Sequence, residues 1–186
     1  HHLVVKNYLC VRRLAALNGI AVPPSFDRRL AAALDFSMHV HKPDGIVPSL
    51  SDGDARGYLD LLRQGHELFA REDWLYVATR GRRGAMPAAA GALFPAAGYA
   101  VLRSGWGERG RAYADEQYLV FDCGPLGEGN HGHLDCLSFE LAADGASPVV
   151  DPGRYTYSEA GEVNWRVRFR GTAAHNTVTV DGRNQT

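Results

Sequence analysis

The sequence predicts an α+β protein in which a helical segment over residues 1–85 precedes an antiparallel β-sandwich over residues 86–186. Three observations carry this. Up to about residue 80 the apolar residues recur at helical spacing, whereas from Tyr99 onward they recur at every second position. Between the two lies a stretch of Gly, Arg, Pro and consecutive Ala with the composition of a connector, and the domain boundary is placed there.

In the first helix Leu3, Cys10, Leu14 and Leu17, with Val4 and Val11, form the apolar stripe, which ends at Asn18-Gly19 ahead of Pro23-Pro24. A second helix begins near Ser25, whose hydroxyl suits an N-cap, and repeats Phe26, Leu30, Leu34 and Met38 until Pro43-Asp44-Gly45. A third sets Leu59, Leu62, His66 and Phe69 on one stripe. Helices of this length with short connectors pair antiparallel, the unit of bundles and α/α toroids. In the second half Tyr99–Leu102, Tyr118–Phe121, Leu137–Leu141 and Thr177–Val180 are the expected strands, parted by Gly and Asp turns.

An apolar fraction of 45% and a charged fraction of 22% are those of an ordinary globular chain, and no apolar run approaches the roughly 20 residues that span a bilayer. Net charge is −1 and no basic stretch interleaves with aromatics, which argues against nucleic acid as a partner. Arg80, Arg82 and Arg83 read as solvated surface. Arg166, Arg168 and Arg170 read the same way, unless the proximity of Arg168 and Arg170 to His175 lets them pair with an anionic ligand. Cys10, Cys123 and Cys136 are odd in number and widely spaced, so they read as buried small hydrophobes. Without an initiator Met or a leader, the chain reads as an internal fragment, with His1 and His2 either native or remnants of a tag.

The chemistry concentrates in three places: His131-Gly132-His133-Leu134-Asp135, Val150-Asp151-Pro152-Gly153 and Ala174-His175-Asn176-Thr177. In an extended segment His131, His133 and Asp135 share a face with Leu137, Phe139 and Leu141, so the imidazoles enter an inward face. His175 has the reverse parity, opposite Val178 and Val180, and turns toward a cleft. A buried imidazole without a partner costs about 1–3 kcal/mol. Two imidazoles and one carboxylate suit zinc or a similar divalent ion, and His133, Asp151 and His175 fit that set. The other reading is a histidine–carboxylate network that ties strands together. A cupin-like site, which also opens on His-x-His, is disfavoured because Glu140 lies too far along and on the opposite face from His133. His39, His41 and His66 read as structural. Ser51-Asp52-Gly53-Asp54 offers carboxylates on a loop, which turn chemistry and capping also explain.

These three stretches resemble the heparinase II/III-like polysaccharide lyases, whose β-domain carries His-Gly-His-x-Asp-x-Leu-Ser-Phe, then Val-Asp-Pro-Gly, then Ala-Ala-His-Asn-Thr. All stand here in order, and the likeness runs from Phe94 to Gly182, while the helices match the end of the family's α/α toroid by pattern. The resemblance implies β-elimination at a uronic acid residue of an acidic polysaccharide, with His131 in the active cleft. It implies a structural zinc on His133, Asp151 and His175. It further suggests Tyr157 as a catalytic tyrosine, with Tyr155, Arg168 and Arg170 as substrate contacts, and a periplasmic or secreted location. The family's tyrosine base and its Asn or His partner are expected upstream of, or close to, residue 1. A non-catalytic carbohydrate-binding or scaffold protein and a cupin-like metal oxygenase are the alternatives.

Overall fold

The N-terminal half folds as α1 (His2–Leu17), α2 (Pro24–Val40), α3 (Leu59–Phe69) and α4 (Glu72–Ala78) in the computed structural model, which describes residues 1–126 and 131–186. Leu30, Leu34 and Met38 of α2 are buried with Val5, Leu9, Leu61, Leu62, Trp74 and Val77, so the stripe read for α2 is the one that packs. Helix α2 starts at Pro24, and Ser25 makes no cap bond. Proline is favoured at the first helical position because its missing N–H would have no partner there. Gly65 lets α3 approach α2, since a Cβ there would sit 2.8 Å from Leu34 Cδ1.

Helix α1 departs from its expected face. Val5, Leu9 and Ala15 are buried, whereas Leu3, Cys10, Leu14 and Leu17 are exposed. The helix is apolar almost all round, so two stripes fit its periodicity and only packing against α2 and α3 selects one. The cysteines also depart from expectation: Cys10 and Cys123 are exposed and Cys136 is half-buried.

The second half is an antiparallel sheet in the order β1 (Ala92–Phe94), β2 (Tyr99–Arg103), β3 (Tyr118–Asp122), β4 (Phe139–Ala143), β5 (Ala146–Val149), followed by a short helix α5 (Trp165–Arg170). This is the mixed α+β class expected. Among the described residues it is one five-stranded layer, without a second sheet facing it. The register aligns Val101 with Val120 and Val120 with Glu140, and the buried face carries Val101, Val120, Tyr118 and Ala142 against Leu50.

Thr177–Val180 does not form the expected strand. It makes only a bridge between Val180 and Arg183, and Val178 and Val180 are exposed. Side chains tie the segment down instead: Asn176 donates to Phe139 O and Val150 O, and Thr177 donates to Cys136 O. The inward parity before β4 is also corrected. Leu137 adopts φ 66° and is exposed, which breaks the alternation, so Ser138, Glu140 and Ala142 point inward instead of Leu137, Phe139 and Leu141.

What positions the site is the seam between the halves. Tyr118 donates its hydroxyl to Val40 O (2.9 Å), and Arg103, stacked on Trp106 and Tyr118, reaches the carbonyls of His39 and His41. Buried Glu140 accepts from Ser49 N (2.9 Å) and lies 3.6 Å from Lys42 Nζ. These contacts lay the loop after α2 across the sheet, which carries Ser51-Asp52-Gly53-Asp54 to the histidines. Among the described residues, no helix is long and apolar enough to cross a membrane.

Candidate metal centre and cleft

Residues 131–135 are held from α5: Leu134 N donates to Arg170 O (2.9 Å) and Arg170 Nε donates to Gly132 O (3.0 Å). The chain then turns, with Ser138 N on Asp135 O. This fixes His133 and Asp135 inside, at 1% and 5% exposure, while the His131 ring stays open to solvent. His175 leaves a single 3-10 turn (Thr172–Ala174) and is buried beside His133, ring centroids 5.2 Å apart.

Asp52 organises the seam from the helical half. Its Oδ2 accepts from His131 Nδ1 (2.7 Å) and its Oδ1 from His133 Nε2 (2.9 Å). Arg166, itself buried, grips both oxygens, with Nη2 at 2.8 Å from Oδ2. Burial alone would raise the Asp52 carboxyl, but the bonds from Arg166, His131 and His133 outweigh it and hold it well below the usual carboxylate range. An ionised carboxylate only accepts, so both imidazoles must donate into it. For His133 the proton is therefore on Nε2, and Nδ1 carries a lone pair. Burial also keeps His133 below its ordinary pKa, against the pull of Asp52.

The same reasoning applies to His175. Its Nδ1 donates to Asp151 Oδ2 (2.7 Å), which leaves Nε2 as the lone-pair nitrogen of the neutral ring. Burial opposes protonation of His175, but Asp151 overcomes it and raises the pKa. His133 Nδ1 and His175 Nε2 are both buried, and neither has a hydrogen-bond partner. His133, Asp135 and His175 each offer one ligand atom, all within 4.8 Å of one another, the one such group among the described residues. Two orphaned lone pairs next to a carboxylate fit a divalent cation, because the ion would satisfy what the protein leaves unsatisfied.

The group of side chains that converges here contains Asp135 where the sequence reading placed Asp151. Asp151 spends Oδ2 on His175 and Oδ1 on Gly153 N (2.9 Å), so it stands behind the imidazole, and Asp135 takes the position beside the two lone pairs. Glu140 is engaged with Ser49, Lys42 and Asp151 N and takes no part, which removes the glutamate a cupin-like site needs.

A cavity of about 600 Å³ opens next to this centre, with His131, Asp52, Arg154 and Tyr157 on one wall and His2 and Tyr58 on the other. Tyr157 stands edge-on to His131, centroids 6.1 Å apart, and carries the guanidinium of Arg154 on its ring at 4.6 Å. Arg154 also donates to Asp54 Oδ1 (2.6 Å) and Asp52 O (2.8 Å). Across the cavity His2 stacks on Tyr58 at 4.3 Å, and burial together with His41 and the N-terminal ammonium lowers its pKa to about 3. His1 stays exposed, with its Nε2 3.0 Å from Ala33 O and its ring edge-on to Phe36 at 4.8 Å.

The expected site residues therefore divide. His131 and Tyr157 meet in the cavity, and His133 and His175 meet in the buried centre. Arg168, Arg170 and Tyr155 line neither. Arg168 is exposed over Trp165, Arg170 holds the backbone of Gly132, and Tyr155 stacks on Phe169 at 5.0 Å outside the cavity. Helical geometry accounts for Arg168, which lies two positions from the inward-facing Arg166 on α5 and faces away, whereas Arg170, one turn on, shares the face of Arg166 but is spent on Gly132 O. Arg166, Arg154, Asp135 and Asp52 are the residues the sequence reading did not assign to the site. Asp52 had left a signal, carboxylates on a loop, which turn chemistry explained equally well.

Residues 86–186 match the family described as heparinase II/III-like, C-terminal, so fold and site together define a member of a polysaccharide lyase family. The chain belongs to the heparinase II/III-like family, as its three motifs suggested. A heparin-sulfate lyase of Bacteroides stercoris is 30% identical over 195 residues, 99% of this chain and 28% of that protein. One of Bacteroides thetaiotaomicron is 28% identical, over 99% and 29% respectively. A solved heparinase III gene product superposes with a TM-score of 0.88 at 29% identity, over 98% of this chain and 29% of that one. The chain thus spans under a third of the length of these relatives.

Proposed function

We propose that the chain supplies one wall of the active cleft, and a structural metal centre, to a lyase that cleaves a uronic acid-containing polysaccharide by β-elimination. The observation that carries the reading is the convergence of His131, Tyr157 and Arg154 in one cavity of about 600 Å³. In the reaction a base removes the C5 proton, the C5–H electron pair forms the C4=C5 double bond, the C4–O bond breaks and the departing oxygen takes a proton. Negative charge develops on the sugar carboxylate, and preorganised cationic and N–H groups lower that barrier. Arg154 is the group of this chain placed to supply such charge, and His131 and Tyr157, side by side in the cavity, are placed to exchange the proton. The heparin-sulfate lyases among the relatives support an acidic glycan as substrate.

The metal proposed is zinc, held by His133 Nδ1, His175 Nε2 and Asp135, with Asp151 orienting His175. When bound it would tie three distant segments together and need not touch substrate. A polymeric substrate fits action in the periplasm or outside the cell, which fractionation of the native protein tests.

The test is turnover by the full-length protein on heparan sulfate, heparin, chondroitin, alginate and bacterial exopolysaccharides. A rise in the ultraviolet absorbance of unsaturated uronates is the expected result. Binding without such a rise on any of these glycans would contradict the lyase reading and leave a carbohydrate-binding protein.

A further inference from the structure

Asp52 is unusual among the groups at the seam because it serves the cleft and the buried centre at once. One carboxylate oxygen takes the exposed His131, the other takes the buried His133, and Arg166 grips both. Even its backbone carbonyl is held, by Arg154. Four donors from the sheet half thus clamp one loop residue of the helical half, and the carboxylate cannot rotate to favour one histidine without releasing the other.

His131 has no comparable support. Its side chain is 76% exposed and its ring meets the edge of Tyr157 at 6.1 Å, so the bond to Asp52 is what sets its orientation. An acceptor-only partner on Nδ1 also selects between the two tautomers of the neutral ring: the proton sits on Nδ1, and Nε2, on the other side of the ring, is the lone-pair nitrogen.

We infer that Asp52 is a positioning residue for the reaction proposed above, acting through His131: its carboxylate fixes the neutral ring as the Nδ1–H tautomer and so leaves Nε2 toward the cleft. The catalytic consequence rests on the lyase reading; the hold on the tautomer does not. Asp52→Asn is the discriminating change, because an amide offers one acceptor and one NH2 group where two imidazoles both donate. One ring must then shift its proton or lose its bond.

Two measurements on the full-length protein decide it. In a long-range proton–nitrogen NMR spectrum, recorded well above the imidazole titration range, wild-type His131 should carry its proton on Nδ1. A wild-type proton on Nε2 overturns the inference and needs no variant. In turnover, Asp52→Asn should lower kcat by about 100-fold or more, the scale of a misplaced acid–base group, with KM within about threefold. Asp52→Glu, which restores the acceptor, should recover at least about tenfold of that loss. Metal content equal to wild type in both variants separates this from damage to the buried centre. A variant with unchanged kcat, or with only KM raised, contradicts the positioning role. If the wild type turns over no glycan, the lyase reading and the kcat consequence fall, and the NMR spectrum still decides whether Asp52 sets the tautomer.

Discussion

The molecule holds two groups of buried histidines, and they differ in what their nitrogens do. In the helical half, His41 donates from Nδ1 to Ser37 O (2.6 Å) and accepts at Nε2 from Tyr58 N (3.1 Å), so both nitrogens are spent on backbone. His39 packs its ring on Trp106 and Phe94 and leaves Nδ1 buried without a partner, but among the described residues it joins no convergent group of ligand atoms. In the sheet half, His133 and His175 each spend one nitrogen on a carboxylate and leave the other as a buried lone pair facing the same small space. Burial alone therefore does not distinguish a structural histidine from a ligand. An unsatisfied nitrogen alone does not either, since His39 Nδ1 is orphaned as well; what marks the second group is that its two histidines, each with one orphaned nitrogen, and the Asp135 carboxylate bring ligand atoms within 4.8 Å of one another.

The contrast can be broken most severely from the metal side. His175→Ala removes a lone-pair donor, and stoichiometric metal in the purified protein should fall to near zero; a variant that retains it would place the ion elsewhere. The next effect is on stability. Arg166→Met leaves the Asp52 carboxylate buried among groups it can no longer balance, a loss of about 3–5 kcal/mol, read as a lowered denaturation midpoint. A loss under about 1 kcal/mol would mean that water takes over the role of Arg166.

The helical histidines should show themselves through pH. Burial lowers His39 and His41 to about 4, and His2 to about 3. Above about 6.5, the unfolded value, these rings are neutral in both states and contribute no pH dependence. As pH falls from there toward about 4, the unfolded chain takes up protons first, so stability drops. His175, shifted upward, acts in the opposite sense, but it is one histidine against four, since burial lowers His133 as well. Urea denaturation should therefore give a lower midpoint on the acid side, and a higher one would contradict the assignment. The smallest effect is His41→Ala, which strands Ser37 O and Tyr58 N at a cost of about 1–3 kcal/mol. Metal content should not change, and a loss of metal in that variant would erase the distinction between the two groups.

Much of this was legible in the sequence, for physical reasons that differ by element. The stripe of α2 and the strands β2 and β3 are amphipathic with one solution, so periodicity sufficed. Helix α1 is apolar on more than one face, and only its neighbours decide which is covered. The run Thr177–Val180 has strand composition, yet side-chain bonds from Asn176 and Thr177 replace a ladder. At the site, His133 and His175 were recognisable from their motifs, but the choice between Asp135 and Asp151 depends on the turn at Leu137, whose positive φ no alternation reveals. Asp52 was hidden by distance, 81 residues from His133 in the other half of the chain. Of the three arginines in α5, only the helix's orientation says that Arg166 faces inward.

The measurement closest to the central claim is elemental analysis of the wild-type protein and of Asp135→Ala and Asp151→Asn. About one zinc per chain is expected in the wild type, close to none in Asp135→Ala, and in Asp151→Asn an affinity weakened by about 10- to 100-fold, the scale of an outer partner. No stoichiometric divalent ion in the wild type, or full occupancy after loss of Asp135, would contradict the metal centre assigned to His133, Asp135 and His175.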